Sequence, residues 1–176
     1  MIRLFEFRDL DRIMEIWLEG NLKAHPFIKE EYWRQNYETV RSVLPNAEVY
    51  VFEEDGEVQG FIGMDAEYIA GLFVAEGRRG QGIGHQLILE VKRKKRLSLH
   101  VYEKNAGAVA FYRAEGFRVE NSMTEKESGE QEYLMVFHEN SEQQESIRKG
   151  EEMEDADSGA LLLPGEALEI IFTENI

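Results

Sequence analysis

A glycine-rich turn between an apolar segment and an amphipathic one constrains this chain more than any other feature. The apolar run 69–74 has the character of a buried strand, and Leu87, Ile88 and Val91 recur at helical spacing after the turn. The intervening sequence reads Val74-Ala75-Glu76-Gly77-Arg78-Arg79-Gly80-Gln81-Gly82-Ile83-Gly84. Glycine has no Cβ atom, so a ligand can approach this backbone closely, and the first amides of a helix favour an anion. The turn therefore predicts a phosphate-binding loop with two arginines beside it.

The residue pattern of this turn differs from those of two common phosphate-binding loops. No lysine followed by serine or threonine comes after the glycines, so the turn is not a P-loop. The glycines at positions 80, 82 and 84 are spaced G-x-G-x-G, which also differs from the G-x-G-x-x-G pattern of dinucleotide-binding folds. Both classes of nucleotide-phosphate binder are therefore disfavoured.

A second pattern lies downstream, after an apolar run at 97–102 that predicts another strand. It reads Asn105-x-x-Ala108-x-x-Phe111-Tyr112-x-x-x-Gly116-Phe117. Asparagine is a preferred N-cap residue, and glycine commonly ends a helix in the left-handed conformation. The pattern therefore predicts a short helix between Asn105 and Gly116.

In this order the two patterns resemble the motifs of the GNAT superfamily of acetyl-CoA-dependent N-acetyltransferases. The order Arg79-x-x-Gly82-x-Gly84 is similar to the loop that binds the pyrophosphate of coenzyme A in that superfamily. The Asn105 pattern is similar to an element that many of its enzymes carry after the loop. The resemblance covers residues 1–138 and implies transfer of an acetyl group from acetyl-CoA to a primary amine.

Two further stretches resemble the YiaC/YjaB-like bacterial branch of the same superfamily. They are His25-Pro26-Phe27-Ile28 followed by Tyr32-Trp33, and the segment Glu53-Glu54-Asp55-Gly56. Protein lysine acetylation has been proposed for some members of that branch. The acceptor implied by the resemblance is therefore a small-molecule amine or an amine of a peptide or protein.

The predicted elements follow the order of an α/β GNAT fold, in which helices flank a central mixed, mostly antiparallel sheet with splayed central strands. Asp9 is expected to cap the first helix, and Asp55-Gly56 is a strong hairpin signal. The predicted strands are 2–7, 49–52, 58–64, 69–74, 97–102, 117–120 and 132–138, and a second helix is predicted near 30–43.

The composition changes after residue 138. Residues 139–176 hold eleven acidic and two basic side chains, which gives a charge of −9 out of −15 for the whole chain. The polar part of this extension has too few apolar residues to bury a core, so we expect it to be largely disordered. Two apolar islands, 160–164 and 167–172, are expected to dock either on the domain, 1–138, or on a partner subunit.

Composition also limits the classes of function. The chain has no cysteine, which excludes a disulfide framework, a thiolate metal site and a cysteinyl intermediate, and we expect no metal cofactor. The acidic balance argues against a nucleic-acid partner. The start of the chain lacks a signal peptide's apolar core, and no apolar run is long enough to span a bilayer. We therefore expect a cytoplasmic protein without a membrane partner, as a monomer or homodimer.

The resemblance assigns the cofactor-binding residues position by position. Backbone groups of Leu72, Phe73 and Val74 are expected to pair with the pantetheine arm, and the Val74 amide to polarise the thioester carbonyl. Asn105 is expected to contact the cofactor in addition to capping its helix. The pyrophosphate is expected to bind at Arg79, Gly80, Gln81, Gly82, Ile83 and Gly84.

Tyr112 occupies the position that commonly gives a proton to the departing coenzyme A thiolate. An ordinary tyrosine pKa of about 10 suits that task; packing in the core is the alternative. The general base is open, because Tyr68 stands where some branches have glutamate or histidine. Glu67, Glu103, His100 or an ordered water are the candidates, and a solvated amine can also lose its proton without a base.

The stretch from His25 to Tyr32 overhangs the acceptor site in GNAT folds. His25, Phe27, Tyr32, Tyr68 and His100 are therefore expected to line the acceptor pocket, with helix packing as the alternative for the first three. A second function from another class also fits the cofactor loop, namely a non-catalytic acyl-CoA-binding sensor or interaction module.

Overall fold

The structure, a computed structural model, describes residues 1–94 and 96–139. This part of the chain forms one seven-stranded sheet with four α-helices and two short 3-10 helices. The strands are β1 (Ile2–Leu4), β2 (Glu48–Glu54), β3 (Glu57–Asp65), β4 (Tyr68–Val74), β5 (Arg96–Tyr102), β6 (Arg118–Thr124) and β7 (Gln131–His138). The helices are α1 (Leu10–Ala24), α2 (Glu30–Val43), α3 (Ile83–Val91) and α4 (Ala106–Ala114), with 3-10 turns at Phe7–Asp9 and Leu44–Asn46.

The strand order in the sheet is β1-β2-β3-β4-β5-β7-β6. All neighbours are antiparallel except β4 and β5, which run parallel because the chain crosses through α3 between them. Those two central strands pair at a single position, Tyr68 with Ser98. The predicted mixed sheet with splayed central strands and flanking helices is confirmed, and the splay opens a cleft between β4 and β5.

Each face of the sheet carries its own apolar core. The α1–α2 core includes Trp17, Trp33 and Phe73 beneath the first two helices. The α3–α4 core includes Leu87 and Tyr112 and lies on the opposite face. Side chains of β4 and β5 alternate between these cores, so the cleft between the two strands is bordered by residues of both.

The beginning of the chain differs from its predicted form. The first strand ends at Leu4 rather than at residue 7, and Asp9 makes no side-chain cap on α1. Instead the Asp9 carboxylate accepts hydrogen bonds from both terminal nitrogens of Arg3, at 2.7 and 2.9 Å, and from the Glu6 amide at 2.8 Å. Arg3 also donates to Glu53. The prediction that the Asp9 side chain caps α1 is therefore wrong, because a partly buried ion pair with Arg3 of β1 takes its carboxylate.

Two local predictions are confirmed. Asp55 and Gly56 turn the β2–β3 hairpin with φ values of +52° and +79°, the left-handed pair that this dipeptide favours. Asn105 Oδ1 accepts the Ala108 amide at 3.3 Å as the cap of α4, and Gly116 follows that helix at φ +88°. Among the described residues, no helix is long and apolar enough to cross a membrane.

Candidate active site

Beyond its pairing at Tyr68, the edge of β4 that faces the cleft has backbone groups that no described strand pairs with. Ala75 donates its amide to Gln59 of the neighbouring strand β3 at 2.8 Å. Because backbone groups of an antiparallel strand alternate in direction, those of Phe73 also face β3, while those of Leu72 and Val74 face the cleft. The backbone groups of Leu72 and Val74 are thus oriented for the predicted contact with the pantetheine arm. Those of Phe73 are not, because they pair with β3.

The glycine loop at the end of β4 is built as an open cradle. Gly80 and Gly82 have φ values of +71° and +80°, a conformation that L side chains rarely adopt. A Cβ atom built on either glycine would meet nothing within 4 Å, so the space above them is open. The first amides of α3, which begins at Ile83, have no acceptor within the helix and carry its positive dipole end. These features fit a phosphate group.

The two arginines of the loop have different surroundings. Arg78 forms an ion pair with Glu54 of the β2–β3 hairpin. Arg79 is half-buried, burial lowers its pKa, and it forms no ion pair among the described residues, whereas the Nε of both arginines lacks a hydrogen-bond partner there. The Gln81 side chain donates to the Gly77 carbonyl at 2.9 Å, which braces the loop. Arg79 is therefore the loop cation that a phosphate would satisfy.

A close approach at Gly60 sets the position of α3 against the sheet. A Cβ at Gly60 would lie 2.8 Å from the Phe73 carbonyl oxygen and 3.0 Å from Ile83 Cγ2. Any larger residue would therefore push the start of α3, and the cradle with it, away from β3. Ile83 is buried against the sheet and anchors the helix rather than presenting its side chain to a ligand.

Tyr112 lies in the α3–α4 core with 0% of its surface exposed. Its ring contacts Phe111 and Phe117 edge-on, with centroids 5.2 and 5.3 Å away. Leu72 and Val74 of β4 belong to the same core, so Tyr112 is on the side of the cleft that carries the glycine loop. Its role as a proton donor stays a prediction.

Tyr68 and His100 meet on the other side of the sheet. The Tyr68 hydroxyl and His100 Nδ1 are 3.1 Å apart, and both side chains are half-buried. Tyr68 packs against the α1–α2 core, and the alternation of β5 places His100 on the same face as Tyr102. The structure thus brings together two predicted acceptor residues that are 32 positions apart in sequence.

His25 lies beneath the acceptor side rather than on its surface, with 1% of its surface exposed. Its ring packs against Trp33, Phe27 and Tyr102, at centroid distances of 5.3, 5.6 and 5.2 Å. Burial lowers its pKa to about 3, against a smaller opposing effect of a hydrogen bond with the Asn21 backbone, so the imidazole is neutral. The half-buried rings of Phe27 and Tyr32 cover this cluster.

Carboxylates of the β6–β7 hairpin face this aromatic cluster. Burial raises the pKa of Tyr32, and the negative charges of Glu127, Glu125 and Glu132 raise it further. Tyr102 responds in the same way to burial and to Glu132. The sequence analysis missed Tyr102 and these glutamates. The signal for Tyr102 was its place at the end of β5, two residues after His100 and three before Asn105.

The other two candidate bases, Glu67 and Glu103, have different surroundings from His100. Glu67 is exposed in the turn before β4, where its carbonyl accepts the Ser98 amide at 3.0 Å. Glu103 follows β5, and its carboxylate hydrogen-bonds the Tyr133 side chain, which raises the pKa of Tyr133. Tyr133 packs against the α3–α4 core, so Glu103 is engaged on the side opposite Tyr68. Within residues 1–94 and 96–139, no group of three or more His, Asp or Glu side chains is placed to hold a metal ion.

Comparison with known proteins agrees with this geometry. The family described as "Acetyltransferase (GNAT) domain" matches residues 45–119. The peptidyl-lysine N-acetyltransferase YiaC of Escherichia coli K12 is 43% identical over 122 residues, which cover 68% of this chain and 84% of that protein.

Two solved structures share the fold. The solution structure of apo YjaB from Escherichia coli has a TM-score of 0.70 and 26% identity, over 77% of this chain and 95% of that one. The structure of yncA from Salmonella typhimurium with its cofactor acetyl-CoA has a TM-score of 0.57 and 19% identity, over 80% and 94% of the two chains.

Proposed function

The chain belongs to the GNAT acetyltransferase family, and from that premise we propose that it transfers an acetyl group from acetyl-CoA to the side-chain amine of a lysine in a peptide or protein. Direct attack of the amine takes place while both substrates are bound. The observation that carries the proposal is the cleft between β4 and β5. It has the glycine cradle at one end, and it opens toward an aromatic and acidic surface on the α1–α2 side.

Several residues at the glycine-loop end of this cleft fit the binding of acetyl-CoA. Arg79 and the backbone amides around Gly80, Gly82 and Gly84 would hold the pyrophosphate. Free backbone groups of Leu72 and Val74 would pair with the pantetheine arm, and the Val74 amide would stabilise the oxyanion of the transition state. Bound acetyl-CoA supplies the activated acetyl thioester. Asn105 fixes the start of α4, the helix that carries Tyr112.

Tyr112 acts as the general acid of the proposed reaction. Tyr112 shares the α3–α4 core with Leu72 and Val74, the two residues proposed to meet the pantetheine arm, and this supports its assignment to the cofactor side of the cleft. A phenol with the ordinary pKa of about 10 is protonated at neutral pH and can give its proton to a departing thiolate.

The acceptor side favours a cationic substrate. Carboxylates of Glu125, Glu127 and Glu132 act on Tyr32 from the β6–β7 hairpin, and aromatic rings line the same region. An ammonium group is attracted both to negative charge and to the faces of aromatic rings. The name of YiaC, peptidyl-lysine N-acetyltransferase, supports the choice of lysine as the acceptor.

An acceptor screen that follows coenzyme A release tests this function. Peptides with one lysine and a blocked N-terminus, peptides with a free N-terminus and no lysine, and small amines form three matched groups. We expect the first group to give the highest kcat/KM. Transfer confined to either of the other groups would contradict lysine specificity. Acetyl-CoA binding with no transfer to any amine would instead identify a non-catalytic sensor.

A further inference from the structure

Lys104 places its ammonium group on the acceptor side of the molecule. The Nζ atom lies over the ring of Phe27, 5.4 Å from its centroid. The same atom is 3.0 Å from one carboxylate oxygen of Glu130 and 2.8 Å from the other. The structure thus holds a cation between the face of an aromatic ring and a carboxylate.

The register of the sheet explains why these groups meet. Glu103 donates its amide to the Gln131 carbonyl at 2.9 Å, which extends the pairing of β5 with β7 beyond the end of β5. Lys104 and Glu130 are the next residues outward on the two segments, so their side chains come together. Phe27 packs against the α1–α2 core, and the contact therefore lies on the face of the sheet that carries this core.

The ring of Phe27 connects this cation with the cleft. Its centroid is 5.5 Å from that of Tyr102, the last residue of β5, which is one of the two strands that border the cleft. Phe27 also contacts the buried ring of His25 at 5.6 Å. The place that Lys104 occupies therefore adjoins the aromatic cluster on the acceptor side.

The charge at this corner of the molecule favours a further cation. The chain carries four carboxylates and one lysine from Glu125 to Glu132. Lys104 supplies a second ammonium group, which leaves a local charge of −2. A negative potential of this kind attracts the basic side chains of a peptide.

Lys104 is held loosely enough to be displaced. Its side chain is 58% exposed, whereas that of Glu130 is 20% exposed. Ion pairs and cation–π contacts at exposed positions each contribute little to stability, and a long side chain loses rotamer freedom when it is held in one geometry. A cation from a bound peptide can therefore replace Lys104 between the ring and the carboxylate.

We propose that Phe27 and Glu130 form a subsite for a basic side chain near the acceptor lysine, and that Lys104 occupies this subsite in the free enzyme. The proposal rests on the proposed acetyl transfer to lysine and narrows its substrate class to peptides in which a lysine or arginine lies close to the acceptor. Lys104 is then an internal competitor, at the high effective concentration of a tethered group.

Matched peptides measure the use of the subsite. Each peptide has a blocked N-terminus and one lysine, with either arginine or its neutral analogue citrulline at one, two or three residues before or after that lysine. The ratio of kcat/KM for the arginine peptide to that for the citrulline peptide reports the flanking cation alone, because the acceptor is the same. We expect the wild-type ratio to exceed one for at least one spacing.

Lys104→Met removes the competing charge and keeps the length of the side chain. We expect it to raise the arginine-to-citrulline ratio by about fivefold, the scale of one cation–π contact together with one exposed ion pair. Glu130→Gln combined with Lys104→Met should abolish the increase, since the subsite then lacks its carboxylate. A ratio that Lys104→Met leaves unchanged at every spacing would overturn the proposal.

Lys126→Met is the matched control. It removes the same charge from an exposed lysine in the turn between β6 and β7, where no contact with Phe27 holds the ammonium. We expect this variant to change the ratio much less than Lys104→Met does. Equal increases in the two variants would show that the overall negative charge, rather than the Phe27–Glu130 subsite, selects basic peptides.

A binding measurement distinguishes failure of the subsite from failure of the proposed function. Peptides that carry acetyl-lysine in place of the acceptor cannot react, and fluorescence anisotropy gives the ratio of their Kd values for arginine and citrulline. A response of that ratio to Lys104→Met supports the subsite even if the wild type acetylates no lysine peptide, a result that would refute the proposed function. Normal acetylation with no response of either ratio would refute the subsite and leave the proposed function standing.

Discussion

Nε2 of His25 lies 3.4 Å from the side-chain nitrogen of Asn105, which stands 80 positions later in the chain. Asn105 uses its oxygen to cap α4, so its amide nitrogen is the donor and His25 Nε2 the acceptor. The remaining proton of the neutral imidazole is then on Nδ1. This contact joins the α1–α2 loop on the acceptor side to the helix that carries Tyr112.

This buried histidine predicts a specific dependence of stability on pH. The folded-state pKa of about 3 is below the ordinary value of 6.5, so the unfolded chain takes up a proton first as the pH falls. The contribution of His25 is complete above pH 6.5 and is lost progressively between pH 6.5 and 3. At pH 5.5 the loss is about 1.4 kcal/mol of the free energy of unfolding, relative to pH 7.5.

Urea unfolding of the wild type and of His25→Gln at both pH values checks this. The variant should be less stable at pH 7.5, yet its stability should fall by about 1.4 kcal/mol less on acidification, because it has no imidazole to protonate. Equal changes in the two proteins would show that His25 titrates normally and that its ring is hydrated.

The sequence predicted features that depend on local chemistry. Asn105 and Gly116 mark the ends of α4, and Asp55-Gly56 marks the hairpin, because each acts on backbone within a few residues of itself. Contacts between distant segments were not predictable in this way. The Asp9 carboxylate has the sequence context of a helix cap, and only the pairing of β1 with β2 shows that Arg3 lies between Glu53 and Asp9 and binds both.

The candidate site shows the same division. The glycine loop could be recognised from the sequence, because the spacing of its glycines marks the positions where the backbone takes a left-handed conformation. The sequence did not predict that Arg78 is held in an ion pair and Arg79 is not, because that ion pair depends on Glu54 of the β2–β3 hairpin. The meeting of Tyr68 with His100 also needs the strand register, which places residues of separate strands side by side.

The two loop arginines provide a matched pair for the cofactor site. Arg79→Gln should weaken acetyl-CoA binding by about tenfold or more, the scale of one charged hydrogen bond, and more at low salt. Arg78→Gln removes the same charge at the adjacent residue, but its guanidinium is held by Glu54, so affinity should change little. Calorimetry at two salt concentrations measures both. Equal losses would show that net charge, rather than a direct contact, controls affinity.

Gly82→Ala tests the cradle itself. The alanine Cβ occupies the open space above the loop, and we expect acetyl-CoA affinity to fall by about tenfold, or about 1.4 kcal/mol. Gly56→Ala is the control, because φ is +79° there and +80° at Gly82, and neither Cβ would meet an atom within 4 Å. Both variants should lose about 1 kcal/mol of stability from the left-handed conformation. An unchanged affinity in Gly82→Ala would place the pyrophosphate elsewhere.

We propose that residues 1–138 form the complete catalytic domain. Within the described residues the last strand, β7, is paired on both sides by β5 and β6, which supports a domain boundary near His138. The predicted disorder and the apolar islands of 139–176 lie outside the described residues, apart from Glu139. A protein truncated after Asn140 should fold and bind acetyl-CoA with unchanged affinity. Unfolding of that protein would mean that the islands belong to the core.

Tyr112→Phe separates catalysis from packing. The ring and its contacts with Phe111 and Phe117 are kept, and only the hydroxyl is removed. If Tyr112 protonates the leaving thiolate, kcat falls by about 10²-fold or more while acetyl-CoA affinity is nearly unchanged. Tyr50→Phe is the control, since its hydroxyl is 3.0 Å from Glu48 on the edge side of the sheet, away from the cleft.

The two roles of the Tyr112 hydroxyl give opposite results when turnover and melting temperature are measured on one sample. A purely structural hydroxyl costs about 1 kcal/mol when removed, which lowers the melting temperature and leaves kcat intact. We expect the reverse for Tyr112→Phe, with a large loss of kcat and a small change in melting temperature. Because the enzyme then lacks only the donor, a thioester with a more acidic thiol should recover much of the lost rate. Failure of such a substrate to recover it would exclude Tyr112 as the general acid.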